Sequence, residues 1–416
     1  MRKAKLPQIT PLVIISMILT TSIVTAHCCY GLIDTIYWMV ATILSLTMAC
    51  LSKKRDLQIF LIYLCTFCLG GMLTSHDMDQ ANESPQVVEY EELSSLDRTL
   101  LVADSFRQKM EQHLKSLHIK GQDFAIISAM TLGDKQTLDP ETKDTYSISG
   151  ASHVLAVSGL HIGIIFQMFI LLMGGRKRSK LTIALSLVAI WSYVVLIGIP
   201  ASAIRSAFMI STYSFALLIN RNRLSINNLA FTYVTMLLIH PLYLYNISFQ
   251  MSFIAVLSIL LFFPPLFSVL HAKHRYSRWI GSLFCVSLAA QIGTLPLIAY
   301  YFGRISCYSL LTNFIAIPGA TLILYLSAII LLLTPLSLLP GITLLAIPLM
   351  QLTSRCLLSI TQAMNTALKL TTLLPGASIE GIRLNIPQLC LIYLSIVVGY
   401  ILLKKARVLH SSSSKS

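Results

Sequence analysis

The chain has 416 residues, of which 55% are apolar and only 12% are charged. A soluble domain normally carries about 25% charged residues, so this composition excludes an ordinary soluble enzyme. Apolar runs of about 18 or more residues recur along the chain, and each is long enough to cross about 30 Å of hydrocarbon. The runs show no strict two-residue alternation, which argues against an outer-membrane barrel. The sequence therefore predicts an all-α polytopic transmembrane helical bundle.

The net charge of +14 is distributed unevenly. Of the 17 acidic residues, 14 lie between His76 and Asp144, and the rest of the chain is strongly basic. Such segregation is typical of membrane topology, because basic turns stay in the cytoplasm. We therefore expect the acidic stretch to lie outside.

About twelve spans are predicted. The first follows a basic start but has no small-x-small cleavage site, so we interpret it as a transmembrane helix rather than a signal peptide. The predicted spans are Ile9–Ala26, Gly31–Leu51, Leu57–Thr74, His153–Met173, Leu181–Ile199, Ala203–Ile219, Asn227–Tyr245, Phe249–Leu270, Ile280–Tyr300, Tyr308–Thr334, Ile342–Ile360 and Pro387–Leu403.

Basic residues fall on alternate turns of this arrangement, from Lys53-Lys54-Arg55 to Lys404-Lys405. Both termini are then cytoplasmic, and the protein is placed in the plasma (inner) membrane. The region Ile342–Ile360 has an alternative interpretation as an interfacial helix, because Arg355 and Lys369 accompany it, so the span count is about nine to twelve.

The predicted domain boundaries follow from these spans. They are 1–74 for three N-terminal helices, 75–120 for an external acidic segment, 121–403 for the main transmembrane domain and 404–416 for a cytoplasmic tail.

The external segment contains an amphipathic helix. Its apolar stripe is Leu96, Leu100, Ala103, Phe106, Met110, Leu114 and Leu117. Residues at this spacing share one helix face. The helix either lies flat at the outer membrane interface or forms a short cap that packs on itself.

The spans contain few groups that could carry ions or bind metal. Asp34 is the one acid in the predicted spans, which argues against an ion-coupled carrier. No His, Asp or Glu cluster has metal-ligand spacing, so no metal or cofactor is expected. Cys65 and Cys68 form a CxxC inside an apolar run, where ordinary buried side chains are favoured over a thiol or metal site.

The densest group of polar residues lies where the external segment enters the fourth span. It contains His153, Ser158, Gly159, His161 and Gly163. Ser158-Gly159 interrupts an apolar run, which predicts a broken helix, and broken helices at membrane depth line a cavity or are buried by protein. The alternative is a tightly packed helix entrance with two interfacial histidines.

Two further groups of residues are candidates for a transport path. In Gly198-Ile-Pro-Ala-Ser-Ala-Ile-Arg205, the arginine lies about one turn inside the membrane, where it either meets an anion or reaches the outer headgroups. In the third group, Arg304 follows a predicted span, and Asn313 and Pro318 interrupt the next one, as expected for helices with exposed backbone ends.

In this order the segments resemble the ComEC family of DNA-uptake (competence) channel proteins. The resemblance rests on AMTLGDKQTL from Ala129, SGASHVLAVSGLHIGI from Ser149, GIPASAIRSAFMI from Gly198, FQMSFIAVLSIL from Phe249 and GTLPLIAYYFGRISCYSLLTNFIAIPG from Gly293. It implies that 121–403 is a channel domain that passes single-stranded DNA across the plasma membrane during natural transformation. His153, Ser158, Gly159, His161, Gly163, Arg205, Arg304, Asn313 and Pro318 would then line the path or contact DNA.

Fuller members of that family look to have an external oligonucleotide-binding-type domain and a C-terminal metallo-β-lactamase-like domain. The short external region and the end at Ser416 depart from this pattern, so a short form is expected. The resemblance then implies a separate external DNA receptor, a cytosolic helicase or ATPase and a separate nuclease, besides membrane lipid. Homo-oligomerisation stays open.

Two other functions remain open. The topology also fits a transporter of a lipid-linked or small anionic solute. An intramembrane serine hydrolase would use Ser158 with His161 or His240, although residues three apart on one helix rarely aim an imidazole at a hydroxyl.

Overall fold

A computed structural model describes residues 11–82, 95–175, 179–218, 225–270, 274–337 and 343–413. The helices are α1 (Pro11–Cys28), α2 (Thr35–Leu51), α3 (Arg55–Asn82), α4 (Ser95–Ser116), α5 (Gly121–Thr131), α6 (Pro140–Ile148), α7 (Ser152–Leu155), α8 (Gly159–Leu172), α9 (Lys180–Leu196), α10 (Ala201–Leu218), α11 (Ser225–Ile239), α12 (Ile247–Val269), α13 (Arg275–Phe302), α14 (Ser309–Leu336), α15 (Thr343–Thr372) and α16 (Ile386–Ser413). A 3-10 helix covers Pro241–Tyr245, and the strands are β1 (Arg304–Ser306) and β2 (Ser378–Glu380).

The helices confirm the predicted all-α polytopic membrane protein. Within the described ranges, seven helices are long and apolar enough to cross a membrane, and five shorter apolar helices accompany them. Together they coincide with the twelve predicted spans. Large apolar side chains face outward, with Leu344 85% exposed, as expected where lipid solvates a helix.

Two helices end at different residues from the spans predicted near them. The third helix does not stop at Thr74 but continues to Asn82, because the polar residues from Ser75 onward include no proline or glycine. Asp79 in this extension accepts hydrogen bonds from the Tyr30 hydroxyl at 2.8 Å and the Thr35 hydroxyl at 2.6 Å. The seventh predicted span ends at Ile239, because Pro241 begins a 3-10 turn.

The chain forms two compact units, and residues 1–93 with 208–253 make the first. In this unit glycines on α3 allow neighbouring helices to approach closely. A Cβ at Gly71 would lie 2.5 Å from the Trp38 ring, and one at Gly70 would lie 2.8 Å from Ser22 Oγ. Cys68 is buried in the same small core as Trp38 and is a free thiol, as are the other described cysteines.

Residues 94–207 and 254–416 make the second unit. Its core joins α4, α5, α6, α7, α14 and α15. The α5 helix is buried on every side from Phe124 to Thr131, which explains why it carries no amphipathic signal in the sequence.

The two halves of α4 fit different interpretations of the amphipathic segment. Met110 and Leu114 are buried in the core of the second unit. Phe106, one turn earlier, is 48% exposed, and its neighbours Leu101 and Val102 are 57% and 68% exposed. The C-terminal half of α4 is therefore a packed cap, whereas its N-terminal half presents apolar side chains outward.

Two short strands close the second unit at one end. β1 and β2 pair antiparallel, with Arg304 opposite Glu380. The Arg304 guanidinium lies 2.9 Å from the Glu380 carboxylate. This strand pair ties the α13–α14 turn to the connection between α15 and α16.

Candidate functional site

The predicted break in the fourth span is present and separates α7 from α8. α7 ends at Leu155, and α8 begins at Gly159. Ala156 (φ −89°, ψ 136°) and Ser158 (φ −123°, ψ 175°) have extended backbone. An extended backbone cannot continue the i to i−4 hydrogen bonds of a helix, so several backbone groups need other partners here.

Ser158 and His161 form a capping box at the start of α8. The Ser158 backbone N–H donates to His161 Nδ1 at 3.3 Å, and the Ser158 hydroxyl lies 3.1 Å from the same nitrogen. His161 is fully buried. The expectation that residues three apart rarely aim an imidazole at a hydroxyl does not hold for this pair, because Ser158 is the extended N-cap residue and lies outside the helical geometry.

The first turns of α10 pack against the break. The Ser202 hydroxyl donates to the Val157 carbonyl at 2.7 Å. A Cβ at Gly159 would lie 2.6 Å from Ser206 Oγ, so only glycine fits there without a shift. These contacts bring α10 against the interrupted segment between α7 and α8.

Arg205 lies on the face of α10 that meets the break. Ser202 and Arg205, three positions apart, are neighbours on one face of the helix, and Ser202 contacts the break. The Arg205 side chain is buried, with 2% of the residue exposed. The structure thus favours a buried cation near the break over an arginine that reaches outward to headgroups.

His153 and Gly163 lie on either side of the break. His153, in α7, is exposed. Gly163, one turn into α8, has open space where a side chain would project. Five predicted residues, His153, Ser158, Gly159, His161 and Arg205, are therefore grouped at the break.

The other three predicted residues have different surroundings. Arg304 pairs with Glu380 and donates to Ser147 Oγ at 3.2 Å, so its visible role is to hold the strand pair to the end of α6. Asn313 is 7% exposed, and its Oδ1 has no partner among the described residues. The expectation that Asn313 and Pro318 break their helix was wrong, since α14 is continuous across both. Without an amide hydrogen, Pro318 removes one hydrogen bond, and the rest of the ladder holds.

A turn that sequence reasoning missed lies beside the break. A Cβ at Gly133 would be 3.6 Å from Val157 Cγ2 and 3.5 Å from the Ile197 carbonyl. Ile199, two residues after Ile197, has a positive φ angle of 53°. A β-branched residue at positive φ is strained, and such strain often collects at functional sites. Gly198 and Pro200 flank this position, yet no local pattern announces the strained conformation.

Acidic side chains lie near the same turn. Ser128 Oγ donates to Glu111 at 3.4 Å. Burial raises the pKa of Glu111, and the nearby Asp134 carboxylate raises it further. Burial also lowers the pKa of His113 on α4. Two partly buried titratable side chains, Glu111 and His113, therefore lie on α4 in the cap.

The comparison with known proteins covers the helix break and the start of α10. A family model described as Competence protein matches residues 130–406, well over half of the chain. The chain belongs to the competence protein family. The matched range contains the helix break and the start of α10, so the candidate site of this competence family member lies in the part that defines the family. Among the described residues of this member, no three His, Cys, Asp or Glu side chains form a group that could hold a metal.

Individual relatives of this competence family member match over shorter stretches. ComE operon protein 3 of Bacillus subtilis (strain 168) is 33% identical over 198 residues, covering 47% of this chain and 24% of that protein. Recombination protein 2 of Haemophilus influenzae (strain ATCC 51907 / DSM 11121 / KW20 / Rd) is 26% identical over 226 residues, covering 51% and 28%. An uncharacterized protein of Aquifex aeolicus (strain VF5) is 31% identical over 202 residues, covering 48% and 45%. The chain thus spans less than half the length of each relative. No solved structure matches it.

Proposed function

We propose that this competence family member is a membrane channel that translocates single-stranded DNA across the plasma membrane during natural transformation. The observation that carries the proposal is the broken fourth span with buried Arg205 on the adjoining face of α10. A buried guanidinium and an interrupted backbone at membrane depth are costly in a plain scaffold, and both suit the binding of an anion. Membership of a family named for competence supports DNA as that anion.

The break offers two kinds of phosphate contact. The first N–H groups of α8 have no acceptor inside the helix, and they lie at the positive end of its dipole. A phosphate at such a helix start accepts hydrogen bonds from the backbone. Arg205 adds a planar guanidinium that suits phosphate oxygens, and Gly163 leaves space along α8. We infer that the strand passes the start of α8.

Other features of the proposal concern partners and orientation. The external segment is acidic and would repel DNA, so a separate external receptor would deliver the strand. A cytosolic helicase or ATPase would supply direction, and a separate nuclease would remove the second strand. Both termini would be cytoplasmic, consistent with the alternation of basic turns. The part of the path formed by Arg304, Asn313 and Pro318 would lie along the start of α14.

The direct test uses a naturally transformable host. Deleting the gene should abolish entry of labelled DNA into the cytoplasm, and unchanged entry would refute the proposal. In the restored gene, Arg205→Ala should lower uptake about tenfold or more, since a hydrogen bond to a charged group contributes about 1.5–3 kcal/mol. Arg205→Lys should give an intermediate result, because it keeps the charge and loses the planar fork.

A matched control separates the site from the overall charge. Arg383→Ala removes one exposed arginine from the connection between β2 and α16 and should leave uptake unchanged. Equal losses for Arg205→Ala and Arg383→Ala would contradict a role for the break. Membrane levels of each variant are measured alongside, so that lost protein is not read as lost transport.

Purified protein distinguishes DNA from a small solute. Binding of single-stranded DNA should weaken steeply with salt, because bound phosphates release condensed counterions. Protein that transports a lipid-linked or small anionic solute would bind the oligonucleotide weakly and without that slope.

One observation favours a second function, an intramembrane serine hydrolase. Ser158 Oγ lies 3.1 Å from His161 Nδ1, the distance of a nucleophile from its base. His161 also accepts the Ser158 backbone N–H, however, which makes the contact part of a helix cap. Labelling with a serine-reactive fluorophosphonate decides: an adduct on Ser158 that His161→Asn abolishes would establish the hydrolase, and its absence would leave the channel.

A further inference from the structure

The helix break leaves backbone groups without helical partners, and two side chains bind two of them. In a continuous helix, the Ser158 N–H would donate to the Val154 carbonyl. Here that N–H donates to His161 Nδ1 at 3.3 Å. The ring is fully buried, and its Nε2 has no hydrogen-bond partner among the described residues. The Val157 carbonyl accepts from Ser202.

The imidazole thus replaces one backbone hydrogen bond that the break removes from the helix. Its Nδ1 accepts from the Ser158 N–H, which a continuous helix would pair with the Val154 carbonyl. An Nδ1 that accepts a backbone N–H is unprotonated, so the ring is neutral and carries its hydrogen on Nε2. Because His161 is fully buried, water cannot substitute for it at this N–H.

We propose that His161 is a positioning residue, not a DNA contact: its neutral ring holds the fourth span open between α7 and α8. The helix break is therefore built into the resting protein, and the start of α8 stays available to an anion. This inference rests on the proposed function, because the open start of α8 matters for transport when a phosphate binds there. The geometry of the ring can be tested without any transport.

The sequence explains why histidine suits this position. In a capping box, the third residue of a helix turns back to the N–H of the N-cap residue, and Glu or Gln normally fills this role. A glutamate here would bring a buried negative charge beside the proposed phosphate position. Neutral histidine accepts the same N–H without that charge.

The first experiment reads the ring directly. Protein labelled with ¹⁵N-histidine is placed in liposomes, and the ring nitrogens are observed by magic-angle-spinning NMR. The chain has 10 histidines, and the His161 signals are those that disappear in His161→Asn. We expect an unprotonated Nδ1 and a protonated Nε2 at neutral pH. A signal from protonated Nδ1, or from a doubly protonated ring, would overturn the proposal whatever the protein transports.

The second experiment uses variants that copy one nitrogen at a time. Asparagine places an acceptor oxygen near the position of Nδ1, glutamine places one near Nε2, and arginine keeps only a cation. We expect His161→Asn to retain most of the transformation frequency, and His161→Gln, His161→Leu and His161→Arg to lose on the order of tenfold or more. His118→Asn, in the exposed turn after α4, is the matched control and should change nothing.

The outcomes separate the two proposals. Activity in His161→Arg with loss in His161→Asn would make His161 a cationic contact and would refute the positioning role. Full activity in His161→Leu would refute it as well. A host in which deletion of the gene leaves DNA uptake intact would refute the channel, and the NMR signature would still decide whether His161 holds the break.

Discussion

Gly159 is the position where the packing of the site can be tested most sharply. It is the first residue of α8 and faces α10. A Cβ built there lies 2.6 Å from Ser206 Oγ and 3.5 Å from Ser206 Cβ. Real Cβ contacts essentially never fall below 3.0 Å, so alanine at this position forces a shift of either Ser206 or α10. Gly163, on the same face one turn later, has nothing within 4 Å of its Cβ position.

The magnitude follows from this contact. Overpacking by one methyl group in a close helix contact typically costs about 1–3 kcal/mol. The general gain from glycine to alanine in a helix is about 1 kcal/mol, so it only partly offsets the clash. Gly163→Ala has the gain without the clash and should be neutral or slightly stabilising. The offending atom is a hydroxyl oxygen, so removing it leaves the new methyl group at an ordinary 3.5 Å from Ser206 Cβ.

The assay is a double-mutant cycle on purified protein in detergent. Thermal unfolding is measured for Gly159→Ala, Ser206→Ala and the double variant, with Gly163→Ala as the control. We expect Gly159→Ala to unfold at a lower temperature and Ser206→Ala to restore stability in its presence, with a coupling of about 1–3 kcal/mol. DNA uptake should follow the same order, because the contact sets the position of Arg205.

Two results would refute this reasoning. If Gly159→Ala is as stable as Gly163→Ala, then α10 does not approach the break as described. If Ser206→Ala fails to rescue Gly159→Ala, the clash lies with another group, and the direction assigned to the Arg205 face loses its support.

Three further predictions concern the rest of the second unit. At Gly293, the Cβ of alanine would overlap Ser258 Oγ and lie 2.8 Å from Ser258 Cβ. Gly293→Ala should therefore destabilise the protein by about 1–3 kcal/mol, as measured by thermal unfolding. Ser258→Gly should restore much of this loss. The Thr312 hydroxyl donates to the buried Ser149 carbonyl at 2.7 Å, so Thr312→Val should cost about 1 kcal/mol. In the control Thr321→Val the lost hydrogen bond lies within α14, so chemical unfolding should show a smaller change; equal losses would contradict the prediction. Because the pKa of folded Glu111 is above its ordinary 4.5, its contribution to stability is full below that pH and is lost as pH rises through the folded pKa. Glu111→Gln should therefore unfold at a higher temperature than the parent protein at about pH 8, with the difference closing near about pH 4, and a gap that grows on acidification would refute the assignment.

The membrane helices were predictable because hydrocarbon imposes a length and a composition on every span. The break at Ser158-Gly159 was also visible, since a serine and a glycine inside an apolar run weaken the helix there. The role of His161 left a readable trace, because Ser-x-x-His has the spacing of a capping box. The Ser-x-x-His pattern predicts a capping box only when neutral histidine is accepted in place of glutamate or glutamine at the third helical position.

Other elements depend on tertiary contacts that no local pattern records. The short α5 helix is buried on all faces, so it shows neither the stripe of a surface helix nor the length of a span. β1 and β2 are each three residues long, and a long stretch of chain separates Arg304 from Glu380. The sequence predicts an interruption at Pro318, whereas α14 is continuous there and packs against α15 at Gly319 and Met364.

Because of its length, α15 can pass a movement from the lipid bilayer to the cap. Its 30 residues extend for about 45 Å, while the hydrocarbon layer is about 30 Å thick. Toward the C-terminal end of α15, Gln362 donates to Asp123 at 2.7 Å and Lys369 donates to Glu141 at 2.8 Å. These hydrogen bonds connect α15 to α5 and α6, so the three helices would move together. An over-long helix tilts when the bilayer thins, and a tilt of about 10° moves the far end of such a rod by several ångströms. Bilayer thickness would then adjust the position of the acidic cap.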